Sequence, residues 1–304
     1  HEIRKKEKMK EREEQKEKIR SADGFIAALD QSGGSTPKAL NLYGIESNSW
    51  KDEEEMFDLA HQMRSRIISS SSFSGTKILG AILFEQTMER EVHDSSTTDF
   101  LWKEKKIVPF LKVDRGLTDE VAGMQPMKPI DDLNETLDKA ASYGIFGTKM
   151  RSVVHKADAG GIEEIVSQQF EIGRQILLSD LTPIIEPEID IHCVEKRRAE
   201  DMIKDSILRA LDNLEIGEVM LKLTLPELDD FYSQLVDHPR VLRVVALSGG
   251  YSRQEANKRL LKQKGMVASF SRALTEGLTA GLNEQQFDNT LSNTIQSIFE
   301  ASVG

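Results

Sequence analysis

The 304-residue sequence predicts an α/β fold, a single-domain (β/α)8 TIM barrel, on three observations. Eight short apolar runs of strand length recur along the chain. Longer stretches of helical period lie between them, and nearly every run ends on a polar or ionisable residue. Most runs are too continuously apolar for a half-exposed antiparallel sheet and read as parallel strands buried on both faces. Eight of them, joined by right-handed helical crossovers, close into a barrel. A doubly wound open sheet is the structural alternative. No G-x-G-x-x-G follows the first run, which weakens its dinucleotide-binding form.

Residues 1–20 carry charges of both signs at almost every position. Glu and Lys three and four apart favour a solvated helix, so residues 1–22 read as a charged helical arm and 23–304 as the barrel. The strands then follow as GFIAAL (24–29), KILGAILF (77–84), IVPFL (107–111), GIFGT (144–148), LTPII (181–185), GEVML (217–221), VLRVVAL (241–247) and GMVASF (265–270). Helical stretches are expected at 53–68, 130–143, 161–179, 194–213, 226–236 and 252–263. The fourth of these places Met202, Ile203, Ile207, Leu208 and Leu211 on one stripe opposite its charges. No internal repeat and no composition break divides the barrel.

Composition narrows the function. The chain is 38% hydrophobic with 20 glycines, which suits a sizeable core and excludes wholesale disorder. Fifty-one acids against 40 bases give a net charge of −11. That balance argues against nucleic-acid and anionic-membrane partners, which need positive surface, while leaving room for a local phosphate pocket. Cys193 is the single cysteine, so no intrachain disulfide forms. No apolar run reaches a membrane span and no secretory core segment is visible, so a cytoplasmic protein is expected. The six histidines show no metal-ligand spacing, so no metal is expected.

The residues ending the strands carry the chemistry. They are Asp30, Lys112, Lys149 with Arg151, Glu186 with Glu188, Lys222, Ser248-Gly249-Gly250, and Ser271-Arg272. In a barrel these ends meet at one mouth, where the chemistry of this fold resides. Lys222 lies between two leucines. An apolar surround and neighbouring cations disfavour an ammonium and free an amine to attack a carbonyl as a Schiff base. Lys112 and Lys149 could supply the neighbouring charge, Glu186 the proton shuttle, and Asp30 a base for a hydroxyl proton. Spacing does not choose among the lysines. Ser248-Gly249-Gly250, Ser269, Ser271 and Arg272 suit a phosphate, since glycines let N–H groups approach an anion and Arg clamps it. Gln31-Ser32-Gly33-Gly34-Ser35 forms a second cradle. With Arg151, two cradles suggest phosphate at both ends of the substrate.

The strings ALDQSGGS (28–35), FLKVDRG (110–116), GTKMRS (147–152), IIEPEID (184–190), VMLKLTLP (219–226), ALSGGYSR (246–253) and ASFSRAL (268–274) resemble the class I fructose-1,6-bisphosphate aldolases, the bacterial branch more than the animal and plant one. The resemblance runs from about Gly24 to about Ser302. It implies a TIM barrel that cleaves fructose 1,6-bisphosphate reversibly to dihydroxyacetone phosphate and glyceraldehyde 3-phosphate. The reaction passes through a lysine Schiff base without metal or other cofactor. It further implies Lys222 as the Schiff-base lysine and Glu186 as its general acid/base. Asp30 and Lys149 match the pair at the C4 hydroxyl, and Glu188 a carboxylate ordering the charges. Ser248, Gly249 and Arg272 match the C1-phosphate cradle; Ser32, Ser35, Lys112 and Arg151 match groups around the C6 phosphate. Sugar phosphates are the implied partners, and a homo-oligomer the family expectation.

Two departures stand out. Asp30-Gln31-Ser32 replaces the Asp-Glu-Ser of the animal branch, and no tyrosine follows Tyr251 to match that branch's tail tyrosine. Glu186, or a bound phosphate acting through water, are the alternatives for protonating the enamine. The other functional readings are a different Schiff-base lyase of sugar phosphates and a non-catalytic sugar-phosphate-binding barrel. Two cradles favour a bisphosphate over the first, and the joint presence of Lys222, Glu186 and Asp30 disfavours the second.

Overall fold

The computed structural model describes residues 2–31 and 34–304. Its eight parallel strands are β1 (Phe25–Leu29), β2 (Ile78–Leu83), β3 (Val108–Lys112), β4 (Gly147–Val154), β5 (Thr182–Ile189), β6 (Val219–Thr224), β7 (Val241–Leu247) and β8 (Met266–Ala268). They neighbour one another in chain order. The Ala28 N–H donates to Phe270 O at 3.2 Å, joining β1 to the chain leaving β8 and bringing the sheet round on itself. The predicted (β/α)8 barrel is therefore the observed architecture.

The longer helices are α1 (Glu2–Ser21), α2 (Thr36–Leu42), α3 (Glu53–Ser69), α4 (Leu133–Ser142), α5 (Ala159–Leu178), α6 (Lys196–Asp212), α7 (Arg253–Leu260) and α8 (Glu284–Val303). The predicted helix over 226–236 is a correction: only Ser233–Val236 is helical. There the Glu227 N–H is taken by the Glu200 carboxylate, and Asp230 adopts a left-handed φ of 51° while its carboxylate accepts the Lys264 N–H. Such local bonds compete with a helical ladder. β4 and β5 outrun their apolar runs because they pair over eight residues, from Gly147↔Thr182 to Val154↔Ile189. Met124–Gln125 adds a short antiparallel strand to the end of β4.

Two apolar layers hold the barrel. Strand residues that point outward pack under the helices in the larger core. The inner core is built from Ile26, Ile82, Val108, Phe110, Phe146, Ile184, Met220, Val245 and Val267 with a few neighbours. Phe110 and Phe146 meet edge-on at 5.5 Å. The Phe110 ring fits because Gly80 and Gly147 have no side chain: a Cβ on either would lie 2.8 or 2.9 Å from it.

The floor of the barrel is closed by α1. Its charged outer positions are exposed, but Ile19 is fully buried and joins the inner core beside Trp102. Arg12 donates to Phe146 O at 2.9 Å and stacks over its ring. Arg243 Nη1 reaches the carbonyls of Ile19, Arg20 and Ala22, the orphaned acceptors at the helix end. Ile19→Ala is expected to cost about 2–4 kcal/mol, the usual penalty for a buried cavity. A lower urea midpoint with unchanged kcat in that variant checks the assignment of α1 to stability.

Candidate active site

Side chains alternate along a strand, so two residues beyond each inner-core position the chain again faces the barrel axis. Near the floor those positions are apolar; toward the mouth they become charged. Phe110 is followed by Lys112, Ile184 by Glu186 and Glu188, Met220 by Lys222, and Val267 by Ser269 and Ser271. Lys149 and Arg151 follow Gly147 in the same way. All of them line a cleft of about 550 Å³ at the C-terminal mouth, together with Asp30, Ser35, Lys38, Asp114, Ser248, Gly249 and Arg272. That volume suits a small phosphorylated substrate.

The centre of the cleft is a chain of buried charges. Lys149 Nζ stands 2.6 Å from Asp30 Oδ2 and 3.1 Å from Glu186 Oε2. Lys222 Nζ is 3.7 Å from Glu186 Oε1. Lys112 is held by Asp114 at 2.6 Å, and Arg151 by Glu188 at 2.6 Å. Burial by itself would raise the Asp30 pKa, but Lys149 and Lys222 outweigh it and bring the carboxyl down to about 2. Burial likewise opposes the Lys149 charge, yet Asp30, Glu186 and Asp114 together raise its pKa. Lys149 is thereby fixed as an ammonium. Of the three lysines, Lys112 and Lys149 are locked to carboxylates. Lys222 donates no hydrogen bond to a carboxylate among the described residues, its nearest being Glu186 at 3.7 Å.

Around this centre the other expected residues take their places. Ser248 is buried, and Gly249 and Gly250 both adopt positive φ, 60° and 107°, turning the chain over the mouth. A Cβ on Gly250 would lie 3.4 Å from Arg272 Nη2, so the turn and the guanidinium adjoin. Arg272 and Lys38 are exposed at the rim and make no ion pair with a described residue. Ser35 lines the same rim, and Ser32 lies outside the described residues. Lys112 and Arg151, expected at a phosphate, reach the cleft but are engaged by Asp114 and Glu188.

Four residues of the site were missed by the sequence reading: Lys38 at the rim, and Asp114, Arg64 and Gln169. Asp114 accepts from Lys112 Nζ and from the Gly116 and Arg151 N–H groups. Burial pushes its carboxyl up, but Lys149 and Lys112 outweigh it and hold it below the usual range. Arg64 of α3 is fully buried, donating to Gln31 O and Thr87 Oγ1, both at 2.7 Å. Its burial lowers the guanidinium pKa to about 10, with Asp30 partly offsetting. Gln31 in turn donates to Ser271 Oγ at 2.6 Å. Gln169 of α5 hydrogen-bonds the backbone of Glu186. Arg64 and Gln169 each interrupt an apolar stripe, which is the signal that could have found them.

The family model for "Fructose-bisphosphate aldolase class-I" matches residues 12–227. The chain is 56% identical over 292 residues to the fructose-bisphosphate aldolase class 1 of Synechocystis, covering 96% of this chain and 97% of the relative. It is 52% identical over 290 residues to that of Porphyromonas gingivalis (95% and 99%), and 52% over 292 residues to that of Clostridium acetobutylicum (96% and 99%). The fold is similar to the fructose-bisphosphate aldolase of Plasmodium falciparum, solved with TRAP and a small-molecule inhibitor. That match has a TM-score of 0.76 at 20% identity, covering 97% of this chain and 94% of that one.

The Asp30 ion pair has a consequence for acid stability. The native carboxyl binds its proton more weakly than the unfolded one, so falling pH protonates the unfolded state first. The pair's contribution, on the order of 2 kcal/mol, is fully present above the unfolded value near pH 4 and lost as pH drops to about 2. Urea unfolding followed between those limits should show a shallower pH dependence in Asp30→Asn than in the wild type.

Proposed function

The chain belongs to the class I fructose-bisphosphate aldolases, and we propose that Lys222 is its imine-forming lysine, Glu186 the proton donor and acceptor for that imine, and Asp30 the base at the C4 hydroxyl. The enzyme cleaves fructose 1,6-bisphosphate reversibly to dihydroxyacetone phosphate and glyceraldehyde 3-phosphate through a lysine Schiff base, a glycolytic reaction. One observation carries the assignment of roles. Of the three cleft lysines, Lys222 is the one whose amine no carboxylate holds at hydrogen-bond distance.

In this reading the Lys222 amine attacks the C2 carbonyl, and Glu186, 3.7 Å away, protonates the departing hydroxyl of the carbinolamine. The protonated imine draws electrons from the C3–C4 bond. Asp30 takes the C4 hydroxyl proton as that bond breaks, releasing glyceraldehyde 3-phosphate and leaving an enamine. Protonation of the enamine and hydrolysis of the imine release dihydroxyacetone phosphate. Lys149 lies between Asp30 and Glu186 and keeps their charges apart. Glu186 Oε2 faces Lys149 at 3.1 Å, while its Oε1 faces Lys222 at 3.7 Å, beyond hydrogen-bond distance, and is left open for both proton transfers. Ser248, Gly249 and Arg272 take the C1 phosphate, and Ser32, Ser35, Lys112 and Arg151 surround the C6 phosphate. Glu188 orders Arg151.

The catalytic unit in this reading is the barrel of residues 23–304, with residues 1–22 as its attached helix. A cytoplasmic location and a homo-oligomeric state also belong to it, supported by family membership. Among the described residues no helix is long and apolar enough to cross a membrane.

Borohydride reduction in the presence of dihydroxyacetone phosphate and EDTA should leave a stable adduct on Lys222, found by peptide mass mapping, and none in Lys222→Ala. An adduct on Lys149 or Lys112 would overturn the assignment of roles. Arg272→Ala should weaken phosphate binding by about 1.5–3 kcal/mol, roughly ten- to hundredfold in affinity, with imine formation at saturation retained. Equal substrate affinity in wild type and variant would remove Arg272 from the cradle.

A further inference from the structure

We propose that Gln169 is a positioning residue that fixes the main chain at Glu186 and thereby aims its carboxylate between Lys149 and Lys222. The inference rests on the reading of Glu186 as the acid/base.

Gln169 lies in the buried stripe of α5, among Ile162, Ile165, Val166, Phe170, Gly173 and Ile176, and is itself fully buried. An amide in that place is costly unless its groups are bonded. Its Nε2 donates to Glu186 O at 3.0 Å and to Ser152 Oγ at 2.9 Å, and its Oε1 accepts the Glu186 N–H at 3.0 Å. One side chain thus holds both backbone groups of the same residue and ties it to β4.

That clamp adds to the β4–β5 ladder, which pairs Glu186 with Arg151, at a point where the other edge of the strand is open. The β5–β6 ladder pairs Ile184 with Met220 and Ile185 with Leu221. It does not extend to Glu186, and the next residue, Pro187, has no N–H to give. Beyond the gap the strands are rejoined by the Thr224 hydroxyl, which donates to Ile189 O and accepts the Ile189 N–H. The Glu186 carboxylate needs external support, because no described residue hydrogen-bonds it and its Oε2 is buried without such a partner. Its neighbours are Lys149 at 3.1 Å and Lys222 at 3.7 Å. A proton shuttle benefits from this division: a free carboxylate on a fixed backbone can exchange protons without losing its place.

The test compares Gln169→Leu, Gln169→Glu and Glu186→Gln in the full-length enzyme. It follows kcat and KM for fructose 1,6-bisphosphate and the rate of borohydride-trapped imine formation across pH, with a thermal melt for each variant. Gln169→Leu should lower kcat and the imine rate together, by about ten- to a hundredfold, with KM within about twofold, as for a misplaced catalytic group. In Gln169→Glu a protonated carboxyl can both donate to Glu186 O and accept its N–H, whereas the carboxylate cannot. Its imine rate should therefore carry an added pH transition, rising toward acid, that wild type and Gln169→Leu lack. A folded Gln169→Leu with wild-type kcat, or a Gln169→Glu without the added transition, overturns the positioning role while an impaired Glu186→Gln leaves the acid/base reading standing. Wild-type imine formation in Glu186→Gln overturns that reading and the positioning role with it.

Discussion

The chain of alternating charges across the barrel mouth is the constraint on which the rest of the structure depends. Asp30, Lys149, Glu186 and Lys222 come from the end of β1 and from β4, β5 and β6, and are all at least nine-tenths buried. A single ion in such a place would cost several kcal/mol or give up its charge. Together with Asp114, Glu188, Lys112 and Arg151 they form four carboxylates opposite four basic side chains, each carboxylate within ion-pair distance of a cation. Taking any one away leaves a buried partner unmatched, so the strand register that brings them together is under the same constraint as the chemistry. The apolar layer beneath, with Phe110 seated against two glycines, holds that register without contributing a polar atom of its own.

Because the buried set is matched within itself, the uncompensated positive charge at the mouth comes from other groups. Arg272 and Lys38 stand at the rim without ion pairs to described residues, and Arg272 adjoins the Ser248-Gly249-Gly250 turn. Two cations and a backbone nest there reconcile a net charge of −11 with a ligand that carries phosphate at both ends. The fields are local: matched charges in the interior cancel beyond a few ångströms, and rim charges act on what approaches the mouth.

Much of this was legible because the strand period is two and the apolar runs are short. Most runs stopped where an inward position turned polar, so the list of run-ending residues was nearly the list of cleft residues. The same rule misplaced the ends of β4 and β5, since Lys149 and Glu186 sit inside strands that continue past them. A buried charge reads like a strand terminus when its partner on the next strand is unknown. Helix-borne contributors were legible only as polar interruptions of an apolar stripe. Arg64 and Gln169 lie between apolar residues of amphipathic helices, and periodicity assigns them to the core without saying which backbone they serve. Asp114 belongs to a loop and acts through two backbone N–H groups as well as a lysine, contacts that no side-chain pattern encodes. The segment at 226–236 failed for the same reason in reverse: its helical composition was overruled by a bond from the Glu227 N–H to Glu200 and one from the Lys264 N–H to Asp230.

The seam where β8 meets β1 shows how one neutral residue changes what its neighbours can do. Arg64 is buried, and its guanidinium is satisfied by a carbonyl and a hydroxyl, with no carboxylate hydrogen-bonded to it. Gln31 presents its oxygen toward Arg64 Nη2 at 3.4 Å and its amide to Ser271. Ser271 Oγ is therefore an acceptor in that bond, and its own hydrogen remains available on the side of the cleft it lines. A glutamate at position 31 would do the opposite. It would pair with Arg64, accept the serine's hydrogen and turn the hydroxyl away from an anion. The amide keeps the negative charge of this region on Asp30, where Lys149 and Lys222 hold its pKa low, and leaves the Ser271 hydrogen free beside Arg272.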